Sequence, residues 1–476
     1  MTNPSYVRRD PTAIFEAVLE QYGPPHFSRP RNPAGVLNEP FCAGLYRNEH
    51  DILFEPRENQ FYEYTGDIYR PITSHLILDR LAERLRQMAK DYSQYAALVE
   101  LTDNRYLSGA IAHLKGQTQK EEIFDSEDTF IHVANGVLDL NGGNIDLKPF
   151  SPDLISRNLI PICYDLKAKC PRFKTEILGL LEKEDQEVLQ KFLGLFLLGR
   201  NVIQKFLVLH GLGETGKSTF TEIARRLIGE KNCSELRTNL LHERFEIGSY
   251  IGKKLLIGAD VPRTFLNSKG AFRIKALVGG DLLDAERKGS NYRFQLPGYF
   301  NIVITSNTRL TLHLENDRAA WGRRLVIIEY ERPRTSQTIP EFAHLLITSE
   351  GPGILNYAAE GLLMLRSNIE SCGTVSLSVK QKKRIEDLLN ESDGLRLFLN
   401  EKLEEAPGSD LSTDEIISTY AQYSAARGWN MTTRQTELSL KDHMLELFGV
   451  LKSNDIKRGP SNKQTNVRGY HGVTFK

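Results

Sequence analysis

Phe206-Leu207-Val208-Leu209-His210, followed by Gly211-Leu212-Gly213-Glu214-Thr215-Gly216-Lys217-Ser218-Thr219, decides the fold. The apolar run ahead of the first glycine reads as a buried strand, and positions 211–218 match G-x-x-x-x-G-K-[ST] in full. Phe220, Ile223, Ala224, Leu227 and Ile228 then recur at helical spacing, so a strand, a glycine-rich turn and an amphipathic helix are expected in that order. In such a unit the glycines let backbone N–H groups wrap a phosphate. A lysine placed like Lys217 reaches the β and γ oxygens, and a hydroxyl placed like Ser218 ligates Mg2+. Residues 211–219 are therefore the candidate loop for ATP with Mg2+.

A phosphate loop alone does not choose among kinases, GTPases, transporters and helicases, so the downstream residues must. Lys253-Lys254-Leu255-Leu256-Ile257-Gly258-Ala259-Asp260 reads as a second apolar strand ending in an acid, which makes Asp260 the candidate metal-side carboxylate. Its plainer role is to cap the turn before Pro262. A third strand, Phe300-Asn301-Ile302-Val303-Ile304, leads into Thr305-Ser306-Asn307 and puts an amide at the carboxyl edge of the same sheet, where Asn307 can orient water. Arg323 and Arg324 stand just before a fourth strand at 325–328, and either can serve as an arginine finger toward a neighbouring subunit. The alternation of short apolar strands and helices from 206 to about 330 predicts an α/β domain with a buried parallel sheet.

The rest of the chain sets the frame. Its 476 residues allow about three domains. Basic and acidic residues balance at 61 each, so a nucleic acid partner must be held by local charge. Five scattered cysteines without a C-x-x-C pair disfavour a disulfide framework or a zinc ribbon, and a reducing cytoplasm is the expected location. The greasiest stretch, 192–198, is far shorter than the roughly 20 residues of a membrane span, and residues 1–4 lack the plan of a signal peptide. Before the loop, the aromatic run 61–64 with Tyr69 reads as β, 75–88 as helix, and 135–144 as a hairpin, giving an N-terminal α+β domain over 1–170. The central domain spans 171–370, a linker 371–391, and a last unit 392–476.

That last unit opens with a capping box at Ser412 and Glu415 and continues with a second amphipathic helix. Its final stretch, 452–476, holds six basic residues against the single acid Asp455, a local net of +5 in a neutral chain. Helices followed by a basic β-ribbon suit a winged helix, with Lys457, Arg458, Lys463 and Arg468 as candidate phosphate contacts. Between the acid strand and the asparagine strand lies a second basic ribbon. Residues 282–288, a Gly289-Ser290-Asn291 turn and 292–296 read as a hairpin tipped by Arg287, Lys288 and Arg293, with Tyr292 able to stack on a base.

The order of these motifs resembles the superfamily 3 helicases, in particular the phage and plasmid primase-helicase family related to the poxvirus primase-helicase and the satellite-phage replication protein. Phrases similar to that family's also stand at 135–140, 170–171, 244–245, 252–254, 279–281, 305–307, 323–325 and 350–356. The resemblance implies an AAA+-like P-loop ATPase core working as a homo-hexameric ring, translocating 3′ to 5′ on single-stranded DNA, with the hairpin in its pore and a winged helix at the end. It implies a replicative DNA helicase in the host cytoplasm, acting on single-stranded and forked DNA beside a separate primase or other replication proteins. It also favours Arg324, which directly abuts the fourth strand, as the finger. Two departures bear on this. Ala259 and Val261 flank Asp260 where related motifs carry two adjacent acids, so the general base is open between Asp260 and Glu214. The N-terminal region shows no acid cluster for nucleotidyl transfer, so helicase without primase is expected. The alternative is an ATP-switched DNA-binding initiator or helicase loader; a small-molecule kinase is more remote, since it leaves the hairpin, the arginines and the basic end unexplained.

Overall fold

The computed structural model describes residues 10–29, 32–124, 130–268, 270–286, 293–312, 318–332, 339–392, 394–427, 433–458 and 464–476. Among them the fold is mixed α/β, built around a parallel sheet of five strands. In chain order these are β1 (Phe206–His210), β2 (Cys233–Glu235), β3 (Leu255–Gly258), β4 (Asn301–Ser306) and β5 (Leu325–Glu329). Their order across the sheet is β2-β3-β4-β1-β5, and every neighbouring pair is parallel. β1 therefore lies between β4 and β5, and its carboxyl end opens where the chain order reverses. All six residues of β4 and the first four of β1 and β5 are buried, which is why these strands read as continuous apolar runs rather than alternating ones.

Helices α1 (Lys183–Leu198), α2 (Lys217–Ile228) and α3 (Phe342–Cys372) form one core with one face of the sheet. α2 contributes Phe220, Ile223, Ala224, Leu227 and Ile228, the stripe expected from its spacing. The other face is covered by a second core that includes Leu277, Trp321, Ile385, Leu388 and Leu389. The last three come from α4 (Val379–Ser392). Residues 371–391, expected as a linker, are thus largely helix: the polar surface residues hide a stripe at i, i+3 and i+4 that docks on the sheet. Buried Arg384 on α4 ties this helix to Asp185 of α1 and Glu329 of β5.

The N-terminal region has its own core, drawn from four helices (Pro11–Tyr22, Glu39–Glu49, Ser74–Asp91, Asn104–Thr118) and an antiparallel sheet of Ile52–Glu55, Gln60–Tyr64 and Tyr69–Ile72. The expected boundary near 170 is not a break in packing. A second antiparallel sheet, Phe130–Val133, Gly136–Asp139 and Asp146–Lys148, turns Ile131, Val133 and Leu138 into the same core as α1 and α2. The C-terminal unit has a separate core and an antiparallel sheet with Thr465–Phe475 between Leu403–Ser412 and Lys452–Arg458. Its helix Thr413–Ala426 starts with the expected capping box between Ser412 and Glu415. No helix among the described residues is long and apolar enough to cross a membrane.

Candidate nucleotide-binding site

The loop between β1 and α2 sits at the carboxyl edge of the sheet, and local chemistry fixes its shape. Gly211 lies against β5's continuation: a Cβ there would stand 2.3 Å from the Tyr330 carbonyl oxygen, so no larger residue fits. Gly216 takes a left-handed conformation (φ 98°) immediately before α2, and as a glycine it offers no side chain to cap the helix's first amides. Thr215 is buried and donates to the Leu212 carbonyl at 2.8 Å, closing the loop on itself. Lys217 is buried too, and its ammonium donates to the carbonyls of Gly211 and Leu212, both at 2.6 Å, and to Thr215 Oγ1 at 3.2 Å. Burial pushes this ammonium below the usual lysine range, while the Asp260 carboxylate pulls it back. Ser218 is exposed at the loop's rim, with Leu212, Gly213 and Glu214. The loop thus carries uncapped amides, a hydroxyl at its rim and an ammonium folded back onto its own carbonyls, a set of donors that suits an anion such as a triphosphate.

Two strand ends meet beside the loop. Asp260, two residues past β3, adopts φ 45°, and its amide donates to Thr305 Oγ1 at 2.9 Å. Asn307, one residue past β4, donates from Nδ2 to Asp260 Oδ1 at 3.2 Å. Both side chains are exposed at the edge. Beneath them the buried Ser306 hydroxyl donates to the Val261 and Thr308 carbonyls, and the Gly211 amide donates to the Ser306 carbonyl at 3.3 Å. The loop, the acid and the amide are therefore fastened to one backbone knot, which sets the Asp260–Asn307 pair beside the Lys217 loop.

The arginine pair does not join them. Leu325 pairs with Phe206, so Arg323 and Arg324 lie at the amino edge of the sheet, a five-residue strand or roughly 17 Å from the loop of the same chain. Arg324 is buried, and its guanidinium donates to the Ala320 carbonyl at 3.1 Å and the Lys275 carbonyl at 3.3 Å. Burial lowers its pKa from the usual guanidinium value, and Arg323 beside it adds to the shift. Arg323 is exposed.

The ribbon expected at 282–296 is an antiparallel hairpin of Leu282–Glu286 and Arg293–Pro297. Arg287, Lys288 and Tyr292 lie outside the described residues. Arg293 is exposed but shares Glu286 with Arg244. In the C-terminal sheet Lys457 and Arg468 are exposed, Lys463 lies outside the described residues, and Arg458 is committed to the capping-box acid Glu415 at 2.7 Å and the Asp410 carbonyl at 2.5 Å.

Sequence reading passed over His210, at the end of β1 next to the loop. Burial lowers its pKa, with Glu329 opposing and Arg309 and Lys217 reinforcing the shift. The one signal for Arg309 was its place two residues beyond Asn307.

Residues 209–324 match a family of unknown function (DUF5906), the span from the end of β1 to the arginine pair. Solved structures with a similar chain path include the A-form apo structure of the NrS-1 C-terminal region, 13% identical with a TM-score of 0.48, over 98% of this chain and all of that one. A second A-form apo structure, of NrS-1 residues 305–718, is 12% identical with a TM-score of 0.47, over 90% of this chain and 98% of that one. An apo structure of the same region is 11% identical with a TM-score of 0.46, over 98% of this chain and all of that one.

Proposed function

We propose that the chain is an ATP-dependent replicative DNA helicase of a phage, prophage or plasmid, with an AAA+-like P-loop core, working as a homo-hexameric ring on single-stranded and forked DNA. The observation that carries this reading is the meeting of the Lys217 loop with the Asp260–Asn307 pair on one sheet edge, beside a strand flanked by β4 and β5. Lys217 would hold phosphate oxygens in exchange for the carbonyls of Gly211 and Leu212. Ser218 and Asp260 would hold Mg2+, which neutralises charge on the phosphates when bound. Asn307, anchored on Asp260, would orient the attacking water.

The distance of the arginines from their own loop supports action on a neighbouring copy, because two subunits packed edge to edge can bring them to a partner's phosphates. Of the two, Arg323 suits that role better: it is exposed, whereas Arg324 already satisfies buried carbonyls. The hairpin and the C-terminal sheet, read as a winged helix, would supply Arg293, Lys457 and Arg468 to the DNA backbone. A DNA-binding initiator or loader switched by ATP is the second reading, favoured by the lone acid two residues past β3. Displacement of a labelled strand from a forked duplex decides between them. Unwinding with ATP and Mg2+ supports the helicase; nucleotide-dependent DNA binding without displacement supports the switch.

A further inference from the structure

A second concave surface lies on the opposite edge of the parallel sheet from Lys217. It is a cleft of about 480 Å³ between the N-terminal region, the end of α1, the approaches to β3 and β4, and the base of the hairpin. Its charge is one-sided: Arg57, Arg157, Arg200, Lys253 and Lys254 line it against one lining acid among the described residues, Glu122. Arg57 and Arg157 are matched by Glu122 and Glu58. The lysines are held differently. Lys253 donates to the Lys231 carbonyl at 2.7 Å, and Lys254 to the Leu197 and Leu198 carbonyls at 3.2 and 3.4 Å. The second arrangement caps the carboxyl end of α1 and by itself explains Lys254. It does not explain why a further cation, Arg200, stacks 4.1 Å from the centre of the Tyr299 ring at the cleft wall. Burial pushes the Lys254 ammonium down to about 8, a shift that an anion in the cleft would reverse.

A polyanion with flat, stackable groups matches such a surface: cations for phosphates, and a guanidinium–phenol stack that a base can join. The volume falls within the roughly 300–1,000 Å³ of small-ligand pockets, room for a nucleotide or two and none for a duplex. Hairpin residues Leu282, Leu296 and Pro297 also line the cleft, so a strand following the hairpin toward its base would arrive there. We propose that this cleft binds single-stranded DNA, with phosphates at Arg200 and Lys253 and a base beside the Arg200–Tyr299 stack, as a station separate from the hairpin tip. The proposal rests on the reading of the chain as a DNA-binding protein, but not on its unwinding activity.

The test is fluorescence anisotropy of a labelled oligothymidylate titrated with the full chain over a series of salt concentrations. Arg200→Glu/Lys253→Glu is expected to weaken binding about tenfold or more and to flatten the salt slope by about 1.4, roughly 0.7 for each single-strand phosphate that is no longer neutralised. Tyr299→Ala is expected to weaken binding about fivefold or more while leaving the salt slope unchanged. Melting temperature and DNA-free ATP turnover should stay at wild-type values, and Lys253→Arg should retain binding. Wild-type affinity and slope in the double variant would overturn the cleft. If Arg293→Glu/Arg468→Glu lost binding in the same assay while the cleft variants did not, the cleft would fall and the DNA-binding reading would stand. No binding by the wild-type chain would overturn both.

Discussion

Replacing Arg384 with Met is the most demanding test of how the sheet is braced. Its guanidinium donates from Nη1 to both Asp185 oxygens, at 2.8 and 2.9 Å, and lies 3.1 Å from Glu329 through Nε. Asp185 is 1% exposed, and among the described residues Gln381 also bonds its side chain, at 2.8 Å. Methionine fills much of the arginine's volume, so the loss is chiefly electrostatic: a carboxylate stays buried without its counter-charge, which costs about 3–5 kcal/mol. For a folding unit of this size that lowers the melting temperature by about 6–20 °C. Trp321 packs in the same cluster as Ile385, Leu388 and Leu389 of α4, so its fluorescence reports the loss directly in a Trp429→Phe background. Urea titration of Arg384→Met, Asp185→Leu and the pair measures the coupling. The pair should recover most of what Arg384→Met loses, because both buried charges then leave together. A single variant within about 1 kcal/mol of wild type would refute the claim that this contact holds α4 to α1 and β5.

Two further outcomes follow from packing and charge. Gly194 of α1 meets α3 so closely that a Cβ would stand 2.3 Å from the Leu362 amide nitrogen and 2.7 Å from the Ala358 carbonyl oxygen. Gly194→Ala should therefore cost about 1–3 kcal/mol in urea denaturation despite alanine's better helix propensity. Glu415 is held at about 2, first by hydrogen bonds from Arg458 and also by its capping bonds to Ser412. Its folded pKa lies below the ordinary value, so the stability it lends the C-terminal unit is complete above the unfolded carboxyl's pKa, near 4.5, and is lost as pH falls toward 2. Circular dichroism of the full chain across that window should show an acid-induced loss of helix that Glu415→Gln flattens, its stability at neutral pH being lower from the start.

Much of the central fold was legible because its signals are local. A loop such as 211–218 demands particular residue types at fixed spacing, and strands buried on both faces announce themselves as unbroken apolar runs. Asp260 and Asn307 could be placed for the same reason: each stands at or just past the end of such a run, and parallel strands bring their carboxyl ends to one edge. What the chain hid was long-range. α4 looks like a linker because its stripe of Ile385, Leu388 and Leu389 is interrupted by charge, and its anchor, Arg384, has a partner 199 residues away. The strand at 136–139 could be seen but not assigned to the central core, since periodicity says which face is apolar and not what covers it. The preference for Arg324 over Arg323 likewise came from adjacency to β5. Burial, which sequence cannot report for two neighbouring arginines, is what leads us to propose Arg323 instead.

Steady-state ATP hydrolysis by the wild-type chain and by Lys217→Ala, with Mg2+ and saturating oligothymidylate, tests the account most directly. The wild type should turn over ATP and the variant should fall to background, since the ammonium now resting on Gly211 and Leu212 would be the group that holds the phosphates. Hydrolysis by Lys217→Ala at the wild-type rate would contradict the account.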